Sequence, residues 1–123
     1  MTTIKSAFSN GFRNAFKINS RTSRKEHWIF VLLAFLIYFF GNIVIVFISY
    51  FIGKMTTSVL GSISTFLMVA MTIYLLIAYL TSVVRRFHDV GKSAWFYFVP
   101  FYNLYLLVQP SQTEDNKWGP KLN

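Results

Sequence analysis

The sequence has no cysteine and little negative charge. The absence of cysteine from 123 residues excludes disulfides, thiolate metal sites and cysteine nucleophiles, although it does not fix the cellular compartment. Charged residues make up 13% of the chain, about half of their usual share, and only four of them are acidic. Apolar residues reach 54% and aromatic residues 20%. This composition is not that of a soluble domain.

Two long segments, residues 28–53 and 55–84, contain no charged residue. A helix that crosses the hydrocarbon core of a bilayer needs about 20 apolar residues, each adding about 1.5 Å of rise. Both segments are long enough, and we predict membrane-spanning helices over residues 24–52 and 58–84. The first segment is too long for a signal peptide, and no small-residue cleavage site follows it. A soluble fold would have to bury two helices that are apolar on every side.

The positive charges are concentrated at one end of each predicted helix. Those before the first helix are Lys5, Arg13, Lys17, Arg21, Arg24 and Lys25, those after the second are Arg85, Arg86 and Lys92, and Lys54 lies between the helices. The positive-inside rule therefore places the N-terminus and the loop at 85–92 in the cytoplasm. The net charge of +8 is then explained by topology and by attraction to anionic lipid headgroups. We expect no nucleic-acid partner.

Residues 1–22 precede the first helix and combine aromatic and basic residues. Phe8, Phe12 and Phe16 recur every four residues, and Ile4 continues the stripe. This spacing predicts a short amphipathic helix that lies in the interface with its aromatic side chains toward lipid. Gly11 weakens that prediction, and a disordered basic tail is the alternative.

The first membrane helix has a recognisable start. Ser23 and Glu26 have the spacing of a capping box, in which each side chain bonds the other residue's amide. Trp28 follows, and tryptophan is enriched at the headgroup level. We expect Trp28 and Trp95 to anchor the protein at the interface.

The second helix has a stripe of small or weakly polar residues with a period of seven. Its members are Ser58, Thr65, Thr72 and Tyr79, flanked by Gly61 and Ser62. Such residues allow helices to approach closely in lipid. Asn42 in the first helix lies at a similar depth and would be costly without a partner. We predict that it bonds Thr65, Thr72 or the Asn42 of another copy.

Residues 94–108 form a third apolar segment, interrupted by Pro100. As a helix the segment would span about 22 Å, less than the roughly 30 Å of a bilayer core. We favour a short, Pro-kinked third span over the alternative, a re-entrant or interfacial segment. The polar residues 109–123 would emerge outside in the first case and inside in the second.

The run RRFHDVGKS, residues 85–93, raises three kinds of chemistry. A phosphate-binding loop needs a first glycine five residues before Gly91, where this chain has Arg86, so nucleotide hydrolysis is rejected. His88 and Asp89 allow acid–base chemistry or, with His27 and Glu26, a metal site, but no nucleophile is marked out. The structural interpretation is stronger. Asp89 pairs with Arg24, Arg85 or Arg86, Gly91 ends the helix, and Ser93 caps the next.

The segments SRTSRKEHW, RRFHDVGKSAWF and NKWGP together resemble a family of small bacterial inner-membrane proteins known as domain of unknown function number eight hundred and five. The resemblance extends from about Phe16 to Pro120 and implies a multipass inner-membrane protein with no settled activity. The positions that match its motifs are Arg21, Arg24, Glu26, Trp28, Arg85, Arg86, His88, Asp89, Gly91, Ser93, Trp95, Asn116, Gly119 and Pro120. His27 departs from the pattern, because members more often have Phe or Tyr there, which counts against His27 as a ligand.

Both charged motifs fall at the same interface, so we expect them to touch. Glu26 would pair with Arg85 or Arg86. Asp89 would pair with Arg21 or Arg24.

The predicted fold is therefore all-α, a small membrane helical bundle in a single domain. We expect a binding or scaffold protein rather than an enzyme, with no cofactor and no metal. Its partners would be anionic headgroups or another copy of the chain. The residues expected to hold lipid or a partner are Arg21, Arg24, Arg85, Arg86, His88 and Lys92. A homo-oligomeric pore or transporter element and a headgroup enzyme using His88 and Asp89 are the alternatives.

Overall fold

The computed structural model describes residues 3–53 and 58–122, and its regular elements are all helical. They are α1 (Ile4–Arg13), α2 (Arg24–Gly53), α3 (Ser58–Asp89), a 3-10 helix (Ala94–Phe98) and α4 (Tyr102–Val108). The predicted all-α class is confirmed. The start of α2 at Arg24 agrees with the prediction, whereas α3 continues to Asp89 instead of ending at residue 84.

The helices α2 and α3 pack as an antiparallel pair. His27 contacts Ser82 near one end of the pair, and Ser49 contacts Ser64 near the other. The residues of α3 that face α2 are spaced alternately by four and three positions. This spacing is typical of helix pairs that cross in a left-handed sense. The members of this seam, all buried or half-buried, are Ser64, Met68, Met71, Leu75, Ala78, Ser82 and Arg85.

The predicted seam is therefore wrong by one residue. Thr65 and Thr72 are exposed, and a side chain added at Gly61 would meet nothing within 4 Å. A step of one residue turns a helix by about 100°, so Thr65 and Thr72 lie beside the contact face and not in it. Tyr79, the last member of the predicted stripe, does contact α2, with its ring centroid 6.4 Å from that of His27. The side chain of Ser58 lies outside the described residues.

Asn42 bonds neither Thr65 nor Thr72 in the described part of the chain, and its bond to the Asn42 of another copy stays a prediction. Its Nδ2 donates to the backbone oxygen of Tyr38 on its own helix, at 2.7 Å. Thr65 and Thr72 likewise donate to carbonyls one turn back. The polar contact between the helices is instead Ser49 Oγ to Ser64 Oγ, at 2.6 Å. Short hydroxyl side chains make this bond where the two backbones are close enough.

The surface of the helix pair is strongly apolar. Phe47 is 61% exposed and Phe66 71% exposed, and most large side chains of both helices resemble them. Residues 24–52 and 61–89 are each long and apolar enough to cross a membrane. Exposing such an area to water is unfavourable, which is consistent with two membrane-spanning helices.

The helix α1 lies against α2 through two small residues and Phe12. Ala7 and Gly11 are buried, and the ring of Phe30 covers Gly11. Phe12 contacts that ring edge-on, whereas Phe8 and Phe16 are exposed. The predicted helix is present over Ile4–Arg13, although Phe16 lies beyond its end and Phe12 packs against the core. Gly11 counted against a helix by its low helix propensity. In the structure, the ring of Phe30 on α2 lies so close to Gly11 that a larger residue would not fit.

The segment 94–108 does not form a single kinked helix. A 3-10 helix ends at Phe98, and the chain turns through Pro100 to Phe101, which has φ +65°. The helix α4 has only seven residues, a length of about 10 Å.

The same segment returns to the end of α3 from which it departs. Leu106 and Leu107 of α4 pack against Val83 and Phe87 of α3. Beyond α4, the amide of Gln112 donates to the backbone oxygen of Asp89, at 3.0 Å. The chain that leaves α3 at residue 90 is thus back beside it at residue 112.

Substitution of Gly11 tests how closely α1 and α2 are packed. We expect Gly11→Ala to lower the free energy of unfolding by about 1–3 kcal/mol, because the new Cβ would lie 2.0 Å from Phe30 Cδ2. The matched control, Gly61→Ala, adds a methyl group to open surface and should be neutral or stabilise by up to about 1 kcal/mol. Thermal unfolding of the detergent-solubilised chain measures both. Equal effects would contradict the packing.

Candidate functional site

A cluster of buried polar side chains lies where α3 ends, and we call it the Asp89 cluster. It consists of Arg21, Arg86, Asp89 and Ser111. Arg86 and Asp89 are completely buried, at 0% exposure. They are interior because α3 stays helical through this run, with the segment before α2 on one side and the polar tail, residues 109–122, on the other.

The carboxylate of Asp89 is bonded on both oxygens. Arg21 Nε donates to Oδ1 at 3.0 Å, and Arg86 Nη1 donates to Oδ2 at 2.8 Å. The hydroxyl of Ser111 also donates to Oδ2. A buried carboxylate with two cations and a hydroxyl has its lost hydration replaced. Of the two partners that the sequence analysis considered for an interhelical pair, the structure pairs Asp89 with Arg21 and not with Arg24.

Arg21 also binds the backbone of the tail. Its Nη1 donates to the carbonyl oxygens of Glu114 at 2.9 Å and Gly119 at 3.3 Å, and its Nη2 to that of Gln112 at 3.1 Å. The planar guanidinium has several N–H donors that point in different directions and can reach all three carbonyl oxygens, which a lysine ammonium would not do as well. One side chain from the segment before α2 therefore holds both the end of α3 and the tail.

Arg86 makes a second connection to the same part of the chain. Its Nε donates to the oxygen of Leu107 at 3.4 Å, and its Nη2 to the oxygen of Gln109. These carbonyls belong to the end of α4, where no further helical turn satisfies them. The two arginines thus use their remaining donors to bond backbone carbonyls of α4 and of the tail.

His88 is covered by the turn at the sequence NKWG. The indole of Trp118 stacks on the imidazole with a centroid distance of 4.2 Å and an angle of 5°. His88 Nδ1 lies 3.2 Å from the oxygen of Ser20, and Asn116 Nδ2 donates to the oxygen of His88. A bridge between Asn116 and Gly119 closes the turn. His88 is therefore a packed residue, and its ring is not presented to a substrate.

Glu26 and Arg85 are joined through α1 rather than directly. Asn10 Nδ2 donates to Glu26 Oε1 at 2.7 Å, and Arg85 Nη1 donates to the oxygen of Asn10 at 3.3 Å. The expected direct pair of Glu26 with Arg85 or Arg86 is not found within residues 3–53 and 58–122, where both ion pairs involve Asp89. Half of the predicted capping box is present, because Ser23 Oγ accepts from the Glu26 amide.

The end of α3 follows the predicted pattern. Gly91 has φ +79°, the left-handed conformation expected after a helix. The amide of Lys92 donates to the backbone oxygen of Phe87 at 2.9 Å. The amide of Gly91 donates to the backbone oxygen of His88 at 3.1 Å. Ser93 occupies the N-cap position of the 3-10 helix without a side-chain capping bond.

The six residues expected to hold a ligand separate into two groups. Arg21, Arg85, Arg86 and His88 are buried, and none has an exposure above 8%. Arg24 is exposed and donates to the oxygen of Val108 at 3.1 Å, and Lys92 is half-buried. The buried four bind the protein itself and do not form a surface patch. Both expected anchors are exposed, Trp28 moderately and Trp95 at 77%.

His27 is buried between α2 and α3, with Nδ1 2.8 Å from Ser82 Oγ. Its Nε2 and the Nε of Arg85 lack hydrogen-bond partners in the described part of the chain. No group of three histidine or acidic side chains that would hold a metal ion occurs in that part either. The interface metal site considered from the sequence therefore lacks a ligand set there.

Sequence reasoning missed Asn10 and Ser111 as members of the polar network. Asn10 was missed because only the phenylalanines of α1 were considered. Ser111 was missed because it lies in a polar tail whose composition is that of a disordered chain end. The only signal was the NKWGP motif, whose members Asn116 and Gly119 were noted without a role.

The chain belongs to the family described as protein of unknown function (DUF805), whose model matches residues 15–120. The resemblance inferred from the motifs is thereby confirmed. The matched region begins after α1 and ends in the turn that covers His88. Comparisons with curated proteins and with solved structures gave no match.

A double-mutant cycle tests the central pair. We expect Arg21→Gln and Asp89→Asn each to destabilise by about 3–5 kcal/mol, because each leaves a buried group without its partner. The double variant should lose clearly less than the sum, with a coupling energy of about 0.5–3 kcal/mol. Unfolding of the purified chain in detergent provides the measurement.

The matched control for this cycle is Arg24 with Asp89. Arg24 bonds the oxygen of Val108 and not the carboxylate, so the two effects should add. Additivity in the Arg21 cycle, or coupling only in the Arg24 cycle, would contradict the assignment.

Proposed function

We propose that this chain is a membrane-embedded binding or scaffold protein of the bacterial inner membrane, anchored by α2 and α3. Its ligand surface would be the exposed N-terminal cations, not the buried arginines. This N-terminal cationic surface consists of Lys5, Arg13, Lys17, Arg24 and Lys25, all exposed. The single observation that carries the proposal is this concentration of exposed positive charge next to an apolar helix pair, with Glu26 as the only acid before residue 28.

Exposed apolar side chains accompany these cations. Ile4, Phe8, Phe16 and Ile18 are each about half exposed or more. A segment with cations and apolar residues side by side suits the boundary between headgroups and acyl chains. Each cation near an anionic leaflet contributes about 1 kcal/mol. The α1 segment would therefore lie in the cytoplasmic interface.

The proposal includes a topology with both chain ends in the cytoplasm. Supporting it, Arg21 binds carbonyls of the tail, and residue 112 contacts residue 89. A helix of seven residues is far too short to cross a core of about 30 Å. The segment 94–108 would then be re-entrant or interfacial, which is the alternative that the sequence analysis did not favour.

The absence of native cysteine allows a direct topology test. We expect Met55→Cys to react with a membrane-impermeant maleimide added to spheroplasts, and Asn123→Cys to react only after permeabilisation. Both variants carry one thiol, so each is the control for the other. Labelling of position 123 from outside would contradict the topology.

Charge removal tests the lipid surface. Lys5→Gln with Lys17→Gln should weaken binding of phosphatidylglycerol by about 30-fold at low salt, since two charges contribute roughly 2 kcal/mol. Lys5→Arg with Lys17→Arg keeps the charge and should bind as the parent does. Native mass spectrometry of the chain with phosphatidylglycerol, against phosphatidylcholine as the neutral lipid, measures this. Equal binding by all three proteins would refute the role of this surface.

A homo-oligomeric pore or transporter element is the second candidate. The observation in its favour is a groove of about 430 Å³ on the outside of α2 and α3, lined in part by Asn42, Thr65 and Thr72. These polar groups would border a wet path only if further copies enclosed them. Ion flux in liposomes, compared for the parent and Asn42→Leu, distinguishes this candidate from the first.

A further inference from the structure

A second cationic site lies beside the Asp89 cluster, in an open pocket of about 490 Å³. The loop after α3 contributes Gly91, Lys92 and Ser93, and the tail contributes Gln112, Lys117 and Trp118. We call it the Lys92–Lys117 pocket. It joins the GKS tripeptide, which the nucleotide hypothesis left unexplained, to the NKWG turn.

The pocket is positively charged and has no acid in its lining. Both ion pairs of the described residues lie at Asp89, so neither lysine has a carboxylate within ion-pair distance there. Instead Lys92 Nζ lies 5.7 Å from the ring centroid of Phe96, and Lys117 Nζ lies 4.5 Å from that of Trp118. The aromatic rings hold the two side chains at the pocket and leave their charge uncompensated.

Neutral donors accompany the two lysines. The hydroxyl of Ser93 caps nothing, although the residue occupies an N-cap position. The Oε1 of Gln112 accepts from Asn116 Nδ2 at 2.9 Å, which fixes the amide and leaves its Nε2 beside Gly91. A Cβ at Gly91 would lie 2.6 Å from that Nε2. Glycine is therefore needed both for the left-handed turn and for the position of this donor.

The aromatic wall argues against a nucleotide. The imidazole of His88 stacks on the indole of Trp118 at 4.2 Å, and Lys117 Nζ lies 4.5 Å from a ring centroid of the same indole. Both contacts compete with a base for stacking on Trp118. The Lys92–Lys117 pocket is therefore suited to bind an anion but not a nucleotide base.

We propose that the Lys92–Lys117 pocket binds a terminal phosphate monoester. Two ammonium groups match the charge of about −1.5 to −2 that a monoester carries at neutral pH, whereas a phosphodiester carries less. Ser93 and Gln112 add donors to the remaining oxygens. The phosphate comes either from a lipid headgroup at the interface or from a soluble phosphate ester. This site deepens the proposed binding role but does not depend on the N-terminal cationic surface.

The test compares lipids and variants on the full chain in detergent. The probes are phosphatidic acid, which is a monoester, phosphatidylglycerol, which is a diester, and soluble glycerol phosphate. We expect Lys92→Gln with Lys117→Gln to weaken phosphatidic acid binding at least tenfold. Lys54→Gln with Lys121→Gln removes the same charge outside both the pocket and the N-terminal cationic surface, and should leave phosphatidic acid binding within about twofold.

The soluble probe identifies the source of the phosphate. Glycerol phosphate binding that is lost in the pocket variant supports a soluble ester, and its absence beside retained phosphatidic acid binding supports a headgroup. Equal loss in both double variants, or preference for phosphatidylglycerol over phosphatidic acid, overturns the proposal. Such a result would leave the N-terminal surface untouched, because that surface is tested by phosphatidylglycerol and its own variant.

A milder variant guards against a folding defect. Lys92 also complements the negative end of the α3 dipole, so its loss has a structural cost. Ser93→Ala changes no charge and caps nothing in the structure, so it should keep the parental unfolding temperature while it binds phosphatidic acid several-fold more weakly. Unchanged binding in Ser93→Ala together with unchanged binding in the lysine variant overturns the assignment.

Discussion

The buried contact between Arg21 and Asp89 is the interaction on which the polar end of the molecule, where α3 ends, depends. Both side chains are almost completely removed from solvent, so each charge is costly unless the other is present. That constraint fixes the segment before α2 against the end of α3. Since the same guanidinium binds three carbonyls of the tail, it also fixes the tail. The Lys92–Lys117 pocket exists only because the tail is held there.

Much of this architecture could be predicted because it follows from local rules. The two long segments without charged residues predicted α2 and α3. The capping-box spacing of Ser23 and Glu26 predicted where α2 begins. Gly91 marked the end of a helix because only a residue without Cβ adopts its backbone conformation at low cost. The family was recognised from three short motifs. Each of these inferences needs only residues that are close in sequence.

The features that could not be predicted depend on how the helices face one another. The seam of α3 was misplaced by one residue because, in an apolar helix, several stripes have a plausible composition and only the partner selects one. Gly11 was judged by its helix propensity, although the ring of Phe30 decides its role. The arginines were assigned to the surface because charged side chains are usually solvated. Around Arg21, tail carbonyls about 90 residues away in sequence replace water, and around Arg86 the carbonyls at the end of α4 do so.

The reach of Arg21 has a consequence for how the protein is made. Its carbonyl partners at Gln112, Glu114 and Gly119 leave the ribosome long after the arginine itself, when α2 and α3 have already been synthesised. Until then Arg21 can bond Asp89 but lacks these carbonyls, so its remaining donors must stay hydrated. Complete closure around Arg21 therefore waits until residues 112–119 have been synthesised.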